Sequence, residues 1–574
     1  MMQKNKLLLS WLVPSDVRIF DSTMPNGEYL PVLRALKNEP ISFTLAYRSL
    51  LSQENARIPE FPITVAVASA TLPLSVYKVC TVPFAAADCE DTTPDTKGGC
   101  PDILCKRSPN PQILTLNDKN APFAEVEKAQ LNASRTKTQS LLITVNEDGE
   151  VLPFGTHDVK IEIRSLKTGE VLGTHTATIE LIDAELPPRD YYYTNWVHYD
   201  CLADDHGVPL WSDEYFALLG KYLKNATTHG MTTLLTPAFT PALDTPVGTE
   251  RQCVQLVGVV EKDGSYTFDF SLLARFVCVA RENGIRFFEH CHLFSQWGAA
   301  NAINIYGKKN GEDTRLFGWD TPAYDPQYKK FLATYLPAFL SFAKEMGIEN
   351  QLLFHISDEP KEAQLESYRA ALACVQEFIG DRVIADALSS HAFYRHGLVK
   401  LPIVGTAYAN DFDGRCDNMM LYYTGGEKLY SLSNRLLSNI PADTRMLGVH
   451  LFRYRAKGFL HWGYNYTYGR VSQGHFHPAV DPCFYKNMPG VTYLVYPNNH
   501  RGLYPSLREK ELAAAMNDFR ALTLLSSLIG YEATLKICED AIGAPIDIFT
   551  LPHSADTMHA LREAVNLAIA KNIK

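Results

Sequence analysis

The alternation of apolar and polar positions changes character once along the chain, near residue 188. Before that point it has the period of two that marks strands. Ile41-Ser-Phe-Thr-Leu-Ala-Tyr, Ile63-Thr-Val-Ala-Val-Ala, Ser140-Leu-Leu-Ile-Thr-Val, Val159-Lys-Ile-Glu-Ile-Arg and Ala177-Thr-Ile-Glu-Leu-Ile alternate or are rich in β-branched residues. Leu7 to Val13 reads as a further strand at the start. Asn146-Glu-Asp-Gly149 and Lys167-Thr-Gly169 supply turn chemistry between such runs. Strands that follow one another without helices predict a β-sandwich over residues 1–188. The stretch from Ala85 to Pro109, rich in Asp, Thr, Gly and Pro, predicts an irregular loop. Leu186-Pro-Pro-Arg189 predicts a linker, because two prolines interrupt any regular element.

From about residue 190 short apolar runs alternate with amphipathic segments. The strand-like runs begin at Tyr193, Thr233, Arg286, Leu352, Arg382, Ile403, Met419 and Leu460, eight in all. Helices are predicted for Tyr215 to Thr228, Ser271 to Asn283, Gln327 to Met346, Glu362 to Ile379 and Pro441 to Lys457. Gly230, Gly284, Gly347 and Gly380 follow four of them, where a helix C-cap wants glycine. Eight strands with helical crossovers predict a multidomain protein whose second part, residues 189–505, is a (β/α)8 barrel. A doubly wound open sheet is the alternative, but no Gly-rich phosphate loop follows any strand. Leu507 to Ile529 and Thr557 to Ala570 predict a C-terminal helical segment, 506–574, packed on the barrel. Arg508 and Arg520 lie in it without any sequence signal for a role.

A barrel of this kind does its chemistry at the carboxyl ends of its strands. Here those ends carry His198 and Asp200, then Asp244, then Glu289, His290 and His292, with Gln296 and Trp297 beyond. Asp358 and Glu359 follow the fourth strand, with His355 in it. Asp386, Tyr408, Tyr422 and Tyr423, and Trp462 and Asn465 follow on the remaining four. The pair in Phe354-His-Ile-Ser-Asp-Glu-Pro360 stands out, because two adjacent carboxylates where a buried strand ends are costly unless used or paired. A helix cap by Ser357 or Asp358 near Pro360 is the competing explanation. A cap accounts for one carboxylate but not for polar and aromatic groups at eight strand ends.

Composition narrows the field. The chain is 46% hydrophobic and 21% charged, which excludes wholesale disorder, and a net charge of −10 argues against a nucleic-acid partner. Aromatic residues at 11%, with 29 tyrosines, suit a sugar-stacking site as well as a large core. No apolar run is long enough to span a membrane, and no small-residue cleavage site follows Leu7 to Val13, so the expected location is cytoplasmic. Most of the 12 cysteines lie singly in apolar contexts, as reduced buried thiols do. Cys80, Cys89, Cys100 and Cys105 cluster, but their spacing matches no zinc pattern and leaves metal or disulfides open. No metal or other cofactor is expected.

An Asp-Glu pair among aromatics and amides suits glycoside hydrolysis with help from the substrate. A glutamate in a partly desolvated pocket keeps its proton near neutral pH and can protonate a glycosidic oxygen. On an extended chain adjacent side chains point opposite ways, which is poor geometry for a two-carboxylate displacement. It suits a 2-acetamido sugar, with Glu359 as acid/base and Asp358 orienting the acetamide so that its oxygen attacks the anomeric carbon. Two alternatives remain. One is a metal-dependent isomerase or hydrolase using Glu289, His290, His292 and Asp358, and the other is a carbohydrate-binding protein without turnover.

Several segments then carry a resemblance. His198-Tyr-Asp-Cys-Leu-Ala203, Leu235-Thr-Pro-Ala-Phe-Thr-Pro-Ala-Leu-Asp-Thr245, His292-Leu-Phe-Ser-Gln-Trp-Gly298, Phe317-Gly-Trp-Asp320, Phe354 to Pro360, Gly458-Phe-Leu-His-Trp-Gly-Tyr-Asn465 and Pro505-Ser-Leu-Arg508 resemble glycoside hydrolase family 123. The resemblance implies a β-sandwich followed by a catalytic (β/α)8 barrel and exo-β-N-acetylgalactosaminidase activity. It puts catalysis on Asp358 and Glu359, and it implies a glycan or glycoside with a terminal 2-acetamido sugar as partner. The expected sugar contacts are His198, Asp200, Asp244, His292, Gln296, Trp297, His355, Tyr408, Tyr423, Trp462 and Asn465. The chain departs from the family pattern at Tyr422-Tyr-Thr-Gly-Gly426 and Pro489-Gly-Val-Thr-Tyr493, which leaves galacto against gluco preference open; the sequence sets no oligomeric state.

Overall fold

The computed structural model describes residues 3–4, 6–25, 30–51, 60–83, 99–106, 113–117, 125–426, 432–485 and 488–573. Alternation becomes two six-stranded sheets in the N-terminal region. One runs in the order Gln3–Lys4, Leu8–Pro14, Ile41–Ser49, Gln139–Val145, Leu74–Val82, Cys100–Cys105. The other runs Leu33–Leu36, Val171–Ile182, Gly155–Ser165, Glu60–Ser69, Glu125–Ser134, Ile113–Asn117. Pairing is antiparallel except for Leu33–Leu36, which lies parallel to its neighbour. The inward positions of both sheets, among them Phe43, Leu45, Leu141, Ile143, Val65, Val67, Ile161 and Ile163, share one core. Part of the expected loop is a strand, because Cys100–Cys105 pairs with Leu74–Val82 and buries all six of its residues. Cys89 and much of that loop lie outside the described residues. Cys80 and Cys105 sit Sγ to Sγ 3.5 Å apart.

In the second region eight parallel strand positions appear in sequence order. They are Tyr192–Asn195, Thr233–Thr236, Phe287–His290, Leu352–Phe354, the split pair Val383–Ile384 and Ala387–Leu388, Ile403–Gly405, Met420–Tyr422 and Gly458–His461. The second to fifth form one sheet. The fifth to eighth, with the first beside the eighth, form another. The Thr232 N–H donates to Tyr193 O at 2.9 Å, placing the second strand against the first. One interior cluster draws Trp196, Leu235, Leu353, Ala385, Ala387, Ile403, Met420, Tyr422 and Leu460 from these strands and their ends. Gly458 permits the last step, since a Cβ there would lie 1.7 Å from Tyr192 O.

The strands are shorter than their apolar runs, and that relocates several residues. The first ends at Asn195, so Asp200 lies in the helix Tyr199–His206 and His198 at its N-cap, not on a strand. Tyr408 belongs to a 3-10 turn, Thr406–Tyr408, after the sixth. A four-stranded sheet was not expected: Gly258–Lys262, Ser265–Asp269, Ile305–Lys309 and Glu312–Phe317 form it as two joined hairpins. Its turns are Asp263-Gly264 and Asn310-Gly311, all at positive φ as a two-residue hairpin turn demands.

The C-terminal helices Leu507–Ile529, Tyr531–Ile542 and Ala555–Asn572 share a core with Leu36, Ile182, Ala184 and Leu186 of the first region. The Pro-Pro segment is therefore packed rather than loose, with Arg520 Nε donating to Pro187 O at 2.8 Å. Leu507–Ile529 is the one helix among the described residues with the length and composition to cross a membrane, and 50% of that stretch is buried inside the protein.

Candidate active site

A cavity of about 330 Å³ opens beyond the carboxyl ends of the parallel strands. Asp358 and Glu359 line it with Trp196, Asp244, Gln296, Trp297, Tyr422, Trp462 and Tyr485. The turn bearing the two carboxylates is braced by the segment after the third strand. The N–H groups of Leu293 and Phe294 donate to the carbonyls of His355 and Ile356, and the Trp297 N–H donates to Asp358 O at 2.8 Å. The Ser357 hydroxyl donates to Ser295 O and accepts from Gly298 and Ala299 N–H. Neither Ser357 nor Asp358 caps a helix. The next helix, Leu365–Ala373, follows a 3-10 turn whose cap is built by Lys361 and Gln364.

The extended geometry expected for Asp358-Glu359 does not hold. Glu359 takes φ 42°, in the left-handed region, which turns its side chain back so that both carboxyls face one cavity. Trp297 and Asp244 on the same rim also have positive φ, at 60° and 48°. Non-glycine residues in this region store local strain, and such strain gathers at working sites. Gly298 beside them sits at φ 111°, which side-chain-bearing residues rarely adopt, and a Cβ there would also meet the Gln364 side chain at 2.5 Å while Gln364 Nε2 donates to Trp297 O.

The two carboxyls have different surroundings. Tyr422 OH donates to Glu359 Oε1 at 2.8 Å. The Asp358 carboxyl is pushed well above the usual carboxylate range, first by loss of water and then by the charges of Glu359 and Asp386, with His355 opposing. Asp244 completes the polar lining, accepting from Tyr466 OH and from Tyr485 OH at 3.4 Å.

Of the catalytic residues and sugar contacts expected from the sequence, seven line the cavity: His198, Asp244, Gln296, Trp297, Asp358, Glu359 and Trp462. The others do not. Asp200 is held by Arg251, Nε to Oδ2 at 2.8 Å and Nη2 to Oδ1 at 2.6 Å, and lies behind the wall. Burial alone would raise its carboxyl, but the guanidinium outweighs that and holds it below the usual range. Arg251 also donates to His198 Nδ1, so the ring proton sits on Nε2, which donates to Trp462 O at 2.7 Å. Burial and then Arg251 push His198 down to about 3, so it is neutral. Asn465 is spent on His198, accepting its N–H at 2.9 Å and donating to its carbonyl. Tyr423 points outward against Phe459, at 4.8 Å between rings, while its neighbour Tyr422 takes the inward position. Tyr408 is 43% exposed and off the cavity.

His292 and His355 are buried below the cavity, stacked at 4.7 Å between rings. His355 Nδ1 lies 3.2 Å from Asp386 Oδ1, and its Nε2 lies 3.9 Å from Glu289 Oε2, which accepts from Trp196 Nε1. Burial works against the charged imidazolium, but the two carboxylates outweigh it and raise His355 to about 10. His292, His355 and Asp386 have metal-ligating chemistry and converge within 4.8 Å. Asp386 accepts from Ile356 and Ser357 N–H and from Tyr368 OH. The four-ligand set read from the sequence does not assemble, because His290 faces the helix Pro326–Glu345 and bonds Tyr335 OH at 2.9 Å.

Trp196, Tyr422 and Tyr485 line the cavity but were not among the sugar contacts read from sequence. The strand-end position signalled the first two. Tyr485 sits far from any strand end and carried no signal.

A carboxylate pair beneath an aromatic rim, at the mouth of parallel strands, suits carbohydrate chemistry. Residues 196–525 match the catalytic domain of glycoside hydrolase 123. That covers more than half the chain, and the protein belongs to this family. Membership supports glycosidase activity on a glycan or glycoside. A search of curated proteins gave no match. Among solved structures the chain is similar to a family 123 glycoside hydrolase from Clostridium perfringens, at 12% identity and TM-score 0.69, covering 98% of this chain and 97% of that one. It is more distantly similar to a xylanase from Clostridium thermocellum, at 9% identity and TM-score 0.32, covering 91% and 96%. A Bacteroides uniformis β-glucuronidase matches at 11% identity and TM-score 0.30, covering 84% and 49%.

Proposed function

We propose that this protein is a retaining exo-β-N-acetylhexosaminidase that uses the 2-acetamido group of its substrate as nucleophile. The observation that carries this is the adjacency of Asp358 and Glu359 in one cavity with unlike partners. Glu359, oriented by Tyr422, is the acid/base. Asp358 accepts the acetamido N–H and faces the positive charge that grows on the ring formed by the attacking carbonyl oxygen. A poorly hydrated carboxylate of raised basicity meets that charge more strongly than a solvated one. Two carboxyls on one turn cannot straddle a glycosidic bond as a nucleophile and acid pair do, typically about 5–5.5 Å apart from opposite sides. A volume of about 330 Å³ is at the small end for ligand pockets and suits one substituted monosaccharide, hence exo action.

In this reading the paired sheets are a β-sandwich over 1–188, the eight parallel strands a catalytic (β/α)8 barrel over 189–505, and residues 506–574 a helical buttress. Cysteines set singly in apolar contexts suit a reducing, cytoplasmic setting. The test is a panel of aryl 2-acetamido-2-deoxy-β-galactosides and glucosides, with and without a thiazoline that mimics the bicyclic intermediate. Turnover blocked by the thiazoline is the expected result. Sugar binding without turnover on any of them would return the carbohydrate-binding alternative, and turnover indifferent to thiazoline would overturn acetamide participation.

A further inference from the structure

The side chains beneath the cavity do more than fill the strand ring. Asp386 sits where the fifth strand is split, between Val383–Ile384 and Ala387–Leu388, and is fully buried. Its Oδ1 accepts the Ile356 N–H at 3.0 Å, and its Oδ2 accepts the Ser357 N–H at 3.3 Å and Tyr368 OH at 2.5 Å. Those two amides immediately precede Asp358. A carboxylate is an unusual ligand for a strand-end backbone, and burying one is costly unless its bonds or its charge are needed. Here it has both uses, since the same charge lies close enough to Asp358 to act on it.

We propose that Asp386 is a positioning residue for the reaction: with His355 and Tyr368 it fixes the 356–359 turn through the backbone and sets the field at Asp358 from the buried side. The proposal rests on the reading of Asp358 as the acetamide-orienting carboxylate. Several groups face Asp358. Glu359 on its own turn, His355 just after the fourth strand and Asp386 in the split of the fifth act on it by charge, and Tyr422 and Gln296 share its cavity. Of the charged ones, Asp386 and Glu359 raise its affinity for a proton and the His355 imidazolium lowers it. Glu289 is the other carboxylate on His355, so the imidazolium keeps a counter-charge when Asp386 is neutralised. The two buried groups therefore pull Asp358 in opposite directions.

The experiment compares Asp386→Asn and His355→Gln with the parent enzyme. It measures kcat and KM against pH on an aryl 2-acetamido glycoside, and the titration of the Asp358 carboxyl by infrared difference spectra against Asp358→Asn. In Asp386→Asn kcat falls about 100-fold with KM changed by less than about 3-fold, as for a misplaced reacting group. The acid limb of kcat/KM and the Asp358 titration move down in Asp386→Asn and up in His355→Gln. Simple loosening would admit water in both variants and move both titrations down. A shift of the same sign in both, or an unchanged kcat in Asp386→Asn, overturns the proposal. Should Asp386→Asn fail to fold, Tyr368→Phe removes one anchor while leaving every charge in place. It is expected to lower kcat about 10-fold, and unchanged turnover there counts against the proposal. If no 2-acetamido glycoside is turned over at all, the functional reading has failed, yet the infrared titrations still decide whether Asp386 and His355 govern Asp358.

Discussion

Two of the places where this molecule buries ionisable side chains treat them differently. At the joint between the N-terminal sheets and the C-terminal helices, Asp102 and Arg508 are both fully buried and paired, Oδ2 to Nε at 3.0 Å. Asp102 also accepts from Tyr496 OH at 2.6 Å, and Arg508 Nη1 donates to the carbonyls of Arg435, Gly490 and Tyr493. In the cavity, no Arg or Lys pairs with Asp358, Glu359 or Asp244 among the described residues, and the nearby cation, His355, is below the floor. The joint neutralises its charge where it stands. The cavity keeps negative charge poorly compensated, a state that costs stability and that a reaction can use.

The sharpest way to break this contrast is to neutralise the cavity. Glu359→Gln is expected to lower kcat by about 10²–10⁴-fold while the circular dichroism spectrum is unchanged. Asp358→Asn should do comparable damage, measured on the same aryl 2-acetamido glycoside. Near-parental turnover in either would show that the uncompensated carboxylates are not the working groups.

The joint should answer with the opposite phenotype. Asp102→Asn leaves the Arg508 cation buried without its counter-charge, which costs about 3–5 kcal/mol. A denaturant titration should show the loss, while kcat per folded molecule stays within about 3-fold of the parent. A collapse of kcat without loss of stability would put the joint in the machinery and erase the distinction. Smaller again is Tyr422→Phe, which removes the hydroxyl that orients Glu359. Losing one hydrogen bond to an ionisable group predicts about a 10-fold fall in kcat with KM nearly constant.

Much of this contrast could be read in the chain beforehand, but unevenly. The Asp358-Glu359 pair was visible because an apolar run ended at it, and strand counting put it at the carboxyl ends, where the cavity opens. Face assignment was less secure. Tyr422, and not the expected Tyr423, points inward, because a strand of three or four residues fixes which neighbour points inward and an apolar run longer than the strand conceals where it ends. Asp200 shows a second limit. Its cation, Arg251, lies 51 residues away in a loop, and only the folded chain brings them together. Arg508 shows the same, with a partner 406 residues distant. The extra hairpins are legible in the chain, since Asp263-Gly264 and Asn310-Gly311 are direct turn signals. The left-handed backbone at Glu359 had no signal, because glutamate carries no preference for it.

The smallest expected effect is also the one that tests the cost of function directly. If Asp358 is held against its preference, removing its charge should help the fold. Its carboxyl is raised above the ordinary range in the native state, so between the unfolded and native values the native protein binds a proton that the unfolded chain does not. Stability therefore falls as pH rises through the native value, and the penalty is absent below the ordinary carboxylate range. Asp358→Asn should match the parent in thermal unfolding near pH 4 and exceed it increasingly toward neutral and alkaline pH. The gain should be about 1 kcal/mol, or roughly 1 °C in unfolding midpoint for a chain of 574 residues. A variant that is inactive and no more stable at alkaline pH would mean that the turn, rather than the charge, carries the strain.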